Sequence, residues 1–527
     1  MSDNADVLVQ EIRADFEALL TYVKDSQTAT ADHVERGLFR RLLALGARLL
    51  LWFFALRAEA YPRTPQLTAT DAPLPYFGAK PREYFSVFGK LIFWRPYFYR
   101  HGVGSASPLD QALGLGDDCY SDLLREIAEY LGVGTTYAKV AASLARLLGL
   151  PLSTQAISQM VHADAGEVVS YYAQQTAPPV AAEGPILVVQ ADGKGVPIVR
   201  ETPAEAQVRL SKGEKLTHKK EAVVTGIYTV APNVRTPEAV VTSLFHPTVP
   251  RAPAETAVPW AAPQHKQLWA TLAGKDVALA RLADQVAARD GAHIQHRVAL
   301  TDGAEALQTR MQTHCPTFTL ILVERFDDFI HADEKLWDVA NSLLGEQAPE
   351  RTPWVETRTH QLLTGQTAQV VADLRQLEQA AQRTPTQRTT LTKVADYFEH
   401  NLPYMQYDTY LAQGWPIASG VIEGACRHLV KDRCELSGMR WTPDGVESLL
   451  GLRAVAENGD WEAYHQFRKE QRHLRLYGVP LPTQRRLEDQ ALALPAGTAQ
   501  TAPVRRLYVL PRKTAGQYQD EQQKRAA

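Results

Sequence analysis

Apolar residues recur at helical spacing from Val9 to about Ala58, with Gly46 as the only strong breaker, so the chain is expected to open on a helical region. Its most apolar stretch, Leu49 to Leu56 (LLLWFFAL), is bounded by Arg48 and Arg57. That is far short of the roughly 20 residues a membrane span needs, and it predicts a buried helix. Residues 59–110 are rich in Pro, Tyr and Phe with little periodicity and read as loop with a hairpin around Leu91 to Trp94. Helical patterning returns over 117–175. There Tyr137–Leu148 and Ser153–Met160 are joined by Gly149-Leu150-Pro151-Leu152, with Gly149 placed as a C-cap and Ser153 as an N-cap. Two short helices and a tight turn over about 132–166 fit either a DNA-reading helix-turn-helix or an ordinary helical hairpin.

After an Ala- and Pro-rich linker (Thr176 to Gly184) the pattern changes to strands. Pro185–Gln190, Ala222–Val230 and Ala239–Phe245 are short β-branched runs, the first ending in the turn-like Ala191-Asp192-Gly193. A helical stretch follows from about Gln264 to Arg289. Then come a strand at His296–Thr301, a helix from Ala304 and a strand at Phe318–Val323. Residues 331–405 are helical again, with Leu336, Ala340, Leu343 and Leu344 on one face and Leu391, Ala395, Phe398 and Leu402 on another. A last helix runs from Ser419-Gly420 to the break at Ser437-Gly438. This order predicts an α/β RNase H-like core with a mixed five-stranded sheet. Its first part spans 183–330, a helical insertion 331–405 and final helices 410–466. A mainly helical N-terminal region, 1–175, containing the helix-turn-helix, precedes it.

Composition changes this picture little. At 527 residues and 45% hydrophobic the chain has material for about three domains, which excludes a disordered or small disulfide-built protein. The net charge of −3 says nothing of a polyanionic partner until it is partitioned. Residues 467–527 hold 12 Lys plus Arg against 5 Asp plus Glu, a net of +7, leaving −10 for the rest. We read them as a basic, partly flexible tail. Cys119, Cys315, Cys426 and Cys434 form no CxxC pair, so no zinc ribbon or disulfide framework is predicted and a reducing, cytoplasmic compartment is expected. The polar, acidic start shows no secretory signal.

Candidate chemistry lies at strand ends. Asp192-Gly193 and Asp302-Gly303 are each common turn dipeptides, but both follow strands expected to be neighbours, where their carboxylates can meet. Glu423 lies on the last helix, whose apolar residues Val421, Ile422, Ala425, Leu429 and Val430 would press it on the sheet, with Arg427 and Lys431 one and two turns on. Three converging acids repel unless a divalent cation joins them. Oxygen ligands suit Mg²⁺ or Mn²⁺, and two such ions suit in-line phosphodiester chemistry. Lys212, Lys215, Lys219 and Lys220 lie in the connection between the first two strands and Lys194 follows the first aspartate by two residues; such a run reads as solvated surface or, beside a carboxylate cluster, as a hold for a DNA backbone. His293 and His296 lack a partner in the sequence and are expected to be structural. Gly193-Lys194-Gly195 lacks the spacing of a phosphate loop. Trp415, Trp441 and Trp461 read as core or interface aromatics, with stacking of Trp441 on an unpaired base as the functional alternative.

The segments Gln190-Ala191-Asp192-Gly193-Lys194-Gly195-Val196-Pro197, Gly213-Glu214-Lys215, Thr301-Asp302-Gly303-Ala304-Glu305 and Ser419 to Arg427 through Ser437-Gly438-Met439-Arg440-Trp441 resemble the ISKra-type insertion-sequence transposases of the DDE class. The resemblance runs through most of residues 85–465 and is most specific over Pro416 to Trp441. It implies a DNA transposase with Asp192, Asp302 and Glu423 as the triad holding two Mg²⁺ or Mn²⁺ ions. It also implies double-stranded DNA as partner, a homodimer or larger assembly on DNA, and a bacterial, nucleoid-associated location. Asp328-Phe329-Ile330-His331 resembles an acidic-x-x-His feature of several transposase families, which makes Asp328 and His331 auxiliary candidates. Two departures stand out. The aromatic segment Arg95 to Gly104 is not followed by the cysteine pair of related sequences, and Lys431 lies eight residues beyond Glu423 where many DDE proteins have a basic residue at seven. The alternatives are a transposase-derived DNA-binding protein that no longer cuts and an RNase H-like structure-specific nuclease.

Overall fold

The computed structural model describes residues 2–67, 71–199, 218–246, 262–323, 332–436 and 438–482. Lys212, Lys215, Asp328, His331 and the tail from residue 483 lie outside them.

The chain opens with α1 (Ser2–Asp25) and α2 (Ala31–Ala60), the latter capped by the Thr30 hydroxyl, which accepts from the His33 N–H. One face of α2 rests on an antiparallel sheet of β1 (Tyr76–Ser86), β2 (Gly89–Arg100) and β3 (Gly104–Ala106). Phe54 stacks on Phe93 at 4.1 Å, with Leu91 in the same cluster. The expected hairpin is thus far longer than the apolar run that suggested it, because aromatic and β-branched side chains sustain it on both sides. The apolar run of α2 is not a buried helix. Phe54 is buried, whereas Leu49, Phe53 and Leu56 are exposed on the outer side.

Next come α3 (Asp122–Gly134), α4 (Tyr137–Leu148) and α5 (Thr154–Asp164), which pack through Leu124, Val140, Leu144, Ile157 and Met160. The caps are those the sequence suggested. Gly149 takes a φ of 69° at the end of α4, and the Ser153 hydroxyl accepts from the Ala156 N–H at 3.0 Å.

The central sheet has five strands: β4 (Ile186–Ile198), β5 (His218–Val230), β6 (Gln264–Thr271), β7 (His296–Thr301) and β8 (Thr319–Leu322). Their order is β8-β7-β4-β5-β6, with β5 antiparallel to both β4 and β6, and β7 and β8 parallel to β4. The molecule is therefore mixed α/β around a five-stranded mixed sheet. Leu187, Val189 and Ala191 of β4 face α7 (Lys275–Arg289) and α8 (Glu305–His314). On the other face Ile186 and Val188 meet α9 (Ala332–Leu344), α10 (Arg351–Leu363), α11 (Thr367–Gln379) and α12 (Pro385–Asn401). Further along that face Val196 and Ile198 meet α13 (Gly420–Ala425) and α14 (Pro443–Glu457). In the inserted helices Leu336, Ala340, Leu391, Ala395 and Phe398 are buried as expected, but Leu344 and Leu402 are exposed.

Three sequence expectations are corrected. Ala239–Phe245 is not a strand but the body of a helix, α6 (Pro237–Phe245), lying between β5 and β6, because the Thr236 hydroxyl accepts from the Ala239 N–H and Pro237 occupies the first turn. Gln264–Thr271 is not helical but strand β6, and the helix starts only at Lys275. Asp192-Gly193 is not a turn, since β4 continues through it to Ile198. The region read as a basic tail also begins inside α15 (Trp461–Tyr477), where Arg468 and Arg472 are buried against Asp122 at 2.9 and 2.6 Å.

Candidate active site

Pairing register brings the acids together. β4 is paired with β5 along its whole length, but with β7 only from Ile186 opposite His296 to Gln190 opposite Leu300. Two residues on in the same register are Asp192 and Asp302, side by side where β7 ends and β4 runs on as a ribbon with β5. Alternation along β4 puts Asp192 on the face of Val188 and Val196, between the two packed clusters of that face. α13 crosses the same face, held by Ile422, Ala425, Cys426 and Leu429, and carries Glu423.

Burial raises the Asp192 carboxyl above the ordinary aspartate range. Hydrogen bonds from the Gly193 N–H (2.6 Å) and the Cys426 thiol (3.3 Å) oppose this, while the charges of Asp302 and Glu423 push it further up. Asp192 is therefore within electrostatic reach of both other carboxylates. Each is also turned to a local donor: Asp302 accepts from the Ala304 N–H at 3.1 Å, and Glu423 from the Ser419 hydroxyl at 2.6 Å. Among the described residues, no three His, Cys, Asp or Glu side chains close around one point as a ready set of metal ligands. The donor set nonetheless suits a hard cation: half-buried carboxylate oxygens carried on separate elements.

Gly303 fixes the position of Asp302. Its φ is 88°, and a Cβ there would lie 2.9 Å from the Tyr397 hydroxyl and 3.0 Å from Leu322. Cys426, which the sequence reading passed over, is buried beside Asp192. Burial and the Asp192 charge keep its thiol protonated far above the usual range. It stands within the Ser419–Arg427 segment, but its contact with Asp192 comes only from the packing of that segment on β4.

The basic candidates divide. Lys194 lies near Cys426, on the Asp192 face of β4. Lys220, opposite Val196, is exposed. Lys219 is bonded to Glu435 at 2.6 Å, so its charge is already answered within the chain. α13 does not continue as a regular helix: Cys426–Lys431 forms a π-helical turn. A π turn takes up about one extra residue. Lys431, eight residues beyond Glu423, thus comes round to the position that the seventh residue has in a regular α-helix. Arg427 is 71% exposed and 3.8 Å from Asp432.

Trp441 is not free to stack on a base. It is buried, donates to the Cys434 carbonyl at 3.1 Å and lies under Arg433. Its backbone pairs with Ile198, tying the segment after α13 to the end of β4. His293 has a partner that spacing did not show, Glu183 at 3.1 Å, which also binds Arg289, and His296 packs against Trp415. Both histidines are structural. The four cysteines are unpaired. Comparison with profiles of protein families and with curated proteins finds no match to this chain.

Proposed function

We propose that the chain is a DNA transposase of the DDE class, whose RNase H-like core cleaves and joins DNA strands at Asp192, Asp302 and Glu423. The observation that carries this reading is the placement of the three carboxylates, with Asp192 within reach of the charges of both others. One follows the end of β7, one lies beside it within β4, and one comes from a helix on that face, on a sheet whose strands run fifth, fourth, first, second, third. That order, with the second strand antiparallel, is the one expected of an RNase H-like sheet. The motif resemblance over Pro416 to Trp441 supports the same reading.

Asp192, Asp302 and Glu423 would hold Mg²⁺ or Mn²⁺, which supplies activation of the attacking hydroxyl and charge stabilisation at the leaving oxygen. The protein's own contribution is positional. β4 and β7 hold two carboxylates in register, and α13 brings the third over them. Lys194, on the Asp192 face of β4, and the exposed Lys220 and Lys431 would supply positive charge suited to a phosphodiester backbone. α4 and α5 are read as the helix-turn-helix, with Thr154, Gln155, Ser158 and Gln159 as the exposed polar face of the second helix. Gln is well suited to bidentate contact with adenine.

The test uses DNA carrying the sequences that flank the gene. Mg²⁺-dependent nicking and strand transfer at the element ends should fall by about 100- to 1000-fold, the order expected of a lost charge-stabilising group, in Asp192→Asn, Asp302→Asn and Glu423→Gln, with end binding retained. Cleavage that survives all three replacements makes the triad assignment wrong. End binding with no cleavage by the unaltered chain under either metal favours the silent DNA-binding reading, and junction cleavage without joining favours a nuclease.

A further inference from the structure

The α1–α2 hairpin presents a face whose large apolar side chains remain exposed among the described residues. Where the two helices meet, Asp15 pairs with Arg48, Tyr22 lies under Arg41, and Leu8 shares a small cavity with Leu51, Ala55 and Ala58. One residue before these contacts on α2, Ala47 and Phe54 pack on the β1–β2 hairpin. One residue after them, the side chains are large, apolar and exposed: Leu42 after Arg41, Leu49 after Arg48, Leu56 after Ala55. The same holds on α1, with Phe16 after Asp15 and Val23 after Tyr22.

A step of one residue turns a helix by about 100°. In two antiparallel helices the same step from the mutual contact carries both stripes to one side of the pair, here the side away from the core. Phe39 and Phe53 complete the α2 stripe, so that Phe39, Leu42, Gly46, Leu49, Phe53 and Leu56 follow one another at spacings of 3, 4, 3, 4 and 3. That is the spacing of a helix–helix seam. At Gly46, where the stripe lacks a side chain, the ring of Phe88 from the β1–β2 turn lies over the backbone and fills the gap.

We propose that this face is the contact between two copies of the chain, packed about a two-fold axis near Gly46 with their α2 helices antiparallel, so that two helical hairpins form a four-helix layer. The inference does not depend on the proposed activity. Three observations commit it to a second copy. The seam spacing calls for another helix. The exposed side chains on it, each 39–53% accessible, offer roughly 700 Å² per copy, near the ~800 Å² per partner of a stable interface and above the ~300–600 Å² usual for the largest patch of a monomer. The charges at its ends are self-complementary. Glu35 and Arg57 are both exposed and stand eleven residues either side of Gly46, so an antiparallel pairing sets each against the other's counterpart.

Sedimentation equilibrium of the full chain at micromolar concentration should give the mass of two chains. Leu49→Glu with Phe53→Glu should weaken association at least 100-fold, with helical circular dichroism unchanged because both side chains already face water. Glu35→Arg alone should weaken it several-fold, and the double change Glu35→Arg with Arg57→Glu should restore it, an outcome that mere loss of fold would not produce. If the double glutamate variant fails to fold, Leu49→Cys decides. A short bismaleimide should join two copies through it, and not through Val180→Cys on another surface. A chain that stays monomeric to 100 μM overturns the proposal. So does a dimer indifferent to the glutamate pair, a dimer lost when residues 483–527 are removed, or a monomer that instead sediments with phosphatidylcholine vesicles.

Discussion

Gly303 and Gly193 follow the two proposed catalytic aspartates, and the same change at each should have different effects. At Gly303 the φ of 88° disfavours any side chain by about 1–2 kcal/mol, and an added Cβ would meet Tyr397 and Leu322, both held in packed surroundings. At Gly193 the backbone is ordinary strand, and the nearest atom belongs to the flexible end of Glu221. Gly303→Ala should therefore lower stability by about 2 kcal/mol or more and displace Asp302, abolishing nicking, whereas Gly193→Ala should cost under about 1 kcal/mol, as a side chain that swings aside allows. Denaturant titration of the two variants measures the contrast. Equal losses would mean that the backbone at Gly303 is not what positions Asp302.

Among the elements, what could be read from the sequence was set by local signals. The Gly149 and Ser153 caps were legible because one residue's conformation or hydroxyl determines each. β4, β5, β7 and β8 were legible as apolar runs bounded by turn residues, although β4 outlasted its run because the ribbon with β5 pairs its backbone through Asp192 and Gly193. The third strand was misplaced. Ala239–Phe245 has strand composition, but Thr236 and Pro237 open a helix there. β6 is polar at its start (Gln264, His265, Lys266, Gln267) and pairs only on its β5 side among the described residues, so a period-2 apolar signal never develops. At the site, Asp192, Asp302 and Glu423 could be named from motifs, but Cys426 and the π turn beneath Lys431 depend on packing between distant segments. If α5 is the element that reads DNA, its exposed polar face should govern end recognition. Gln155→Ala and Gln159→Ala are each expected to reduce the preference for end DNA over random DNA by about 5- to 150-fold, the 1–3 kcal/mol of a lost bidentate base contact, while nonspecific affinity and its salt dependence stay unchanged. Competition binding at fixed salt checks this, and an unaltered preference would leave α4 and α5 as an ordinary helical hairpin.

Across the molecule, the N-terminal helices are joined to the C-terminal one by buried charge. Asp164 of α5 is bridged to Arg125 of α3 at 2.9 Å and to Arg468 of α15 at 3.1 Å, and Arg472 pairs with Asp122. Within this network Glu129 and His465 lie 3.7 Å apart, both buried. Burial lowers the His465 value to about 4, reinforced by the Arg468 charge. Burial and Asp164 hold Glu129 well above the usual carboxylate range. His465 is accordingly neutral in the fold near pH 6, and Glu129 keeps its proton to higher pH than an ordinary carboxylate. The signs of the two effects on stability are opposite. His465 binds its proton more tightly when unfolded, so its share of stability is full above pH 6.5 and is lost as pH falls toward about 4, in total on the order of 3 kcal/mol. Glu129 holds its proton more tightly when folded, so its share is full below pH 4.5 and is lost as pH rises through its folded value. His465→Gln should therefore shrink the drop in melting temperature between pH 7 and pH 5, and Glu129→Gln should raise the melting temperature at pH 8 relative to the unaltered chain. A thermal melt series from pH 4.5 to 8 separates the two. If His465→Gln leaves the acid-side slope unchanged, the histidine is not buried neutral at the junction of α3, α5 and α15, and the acid sensitivity there must come from the arginine–aspartate pairs.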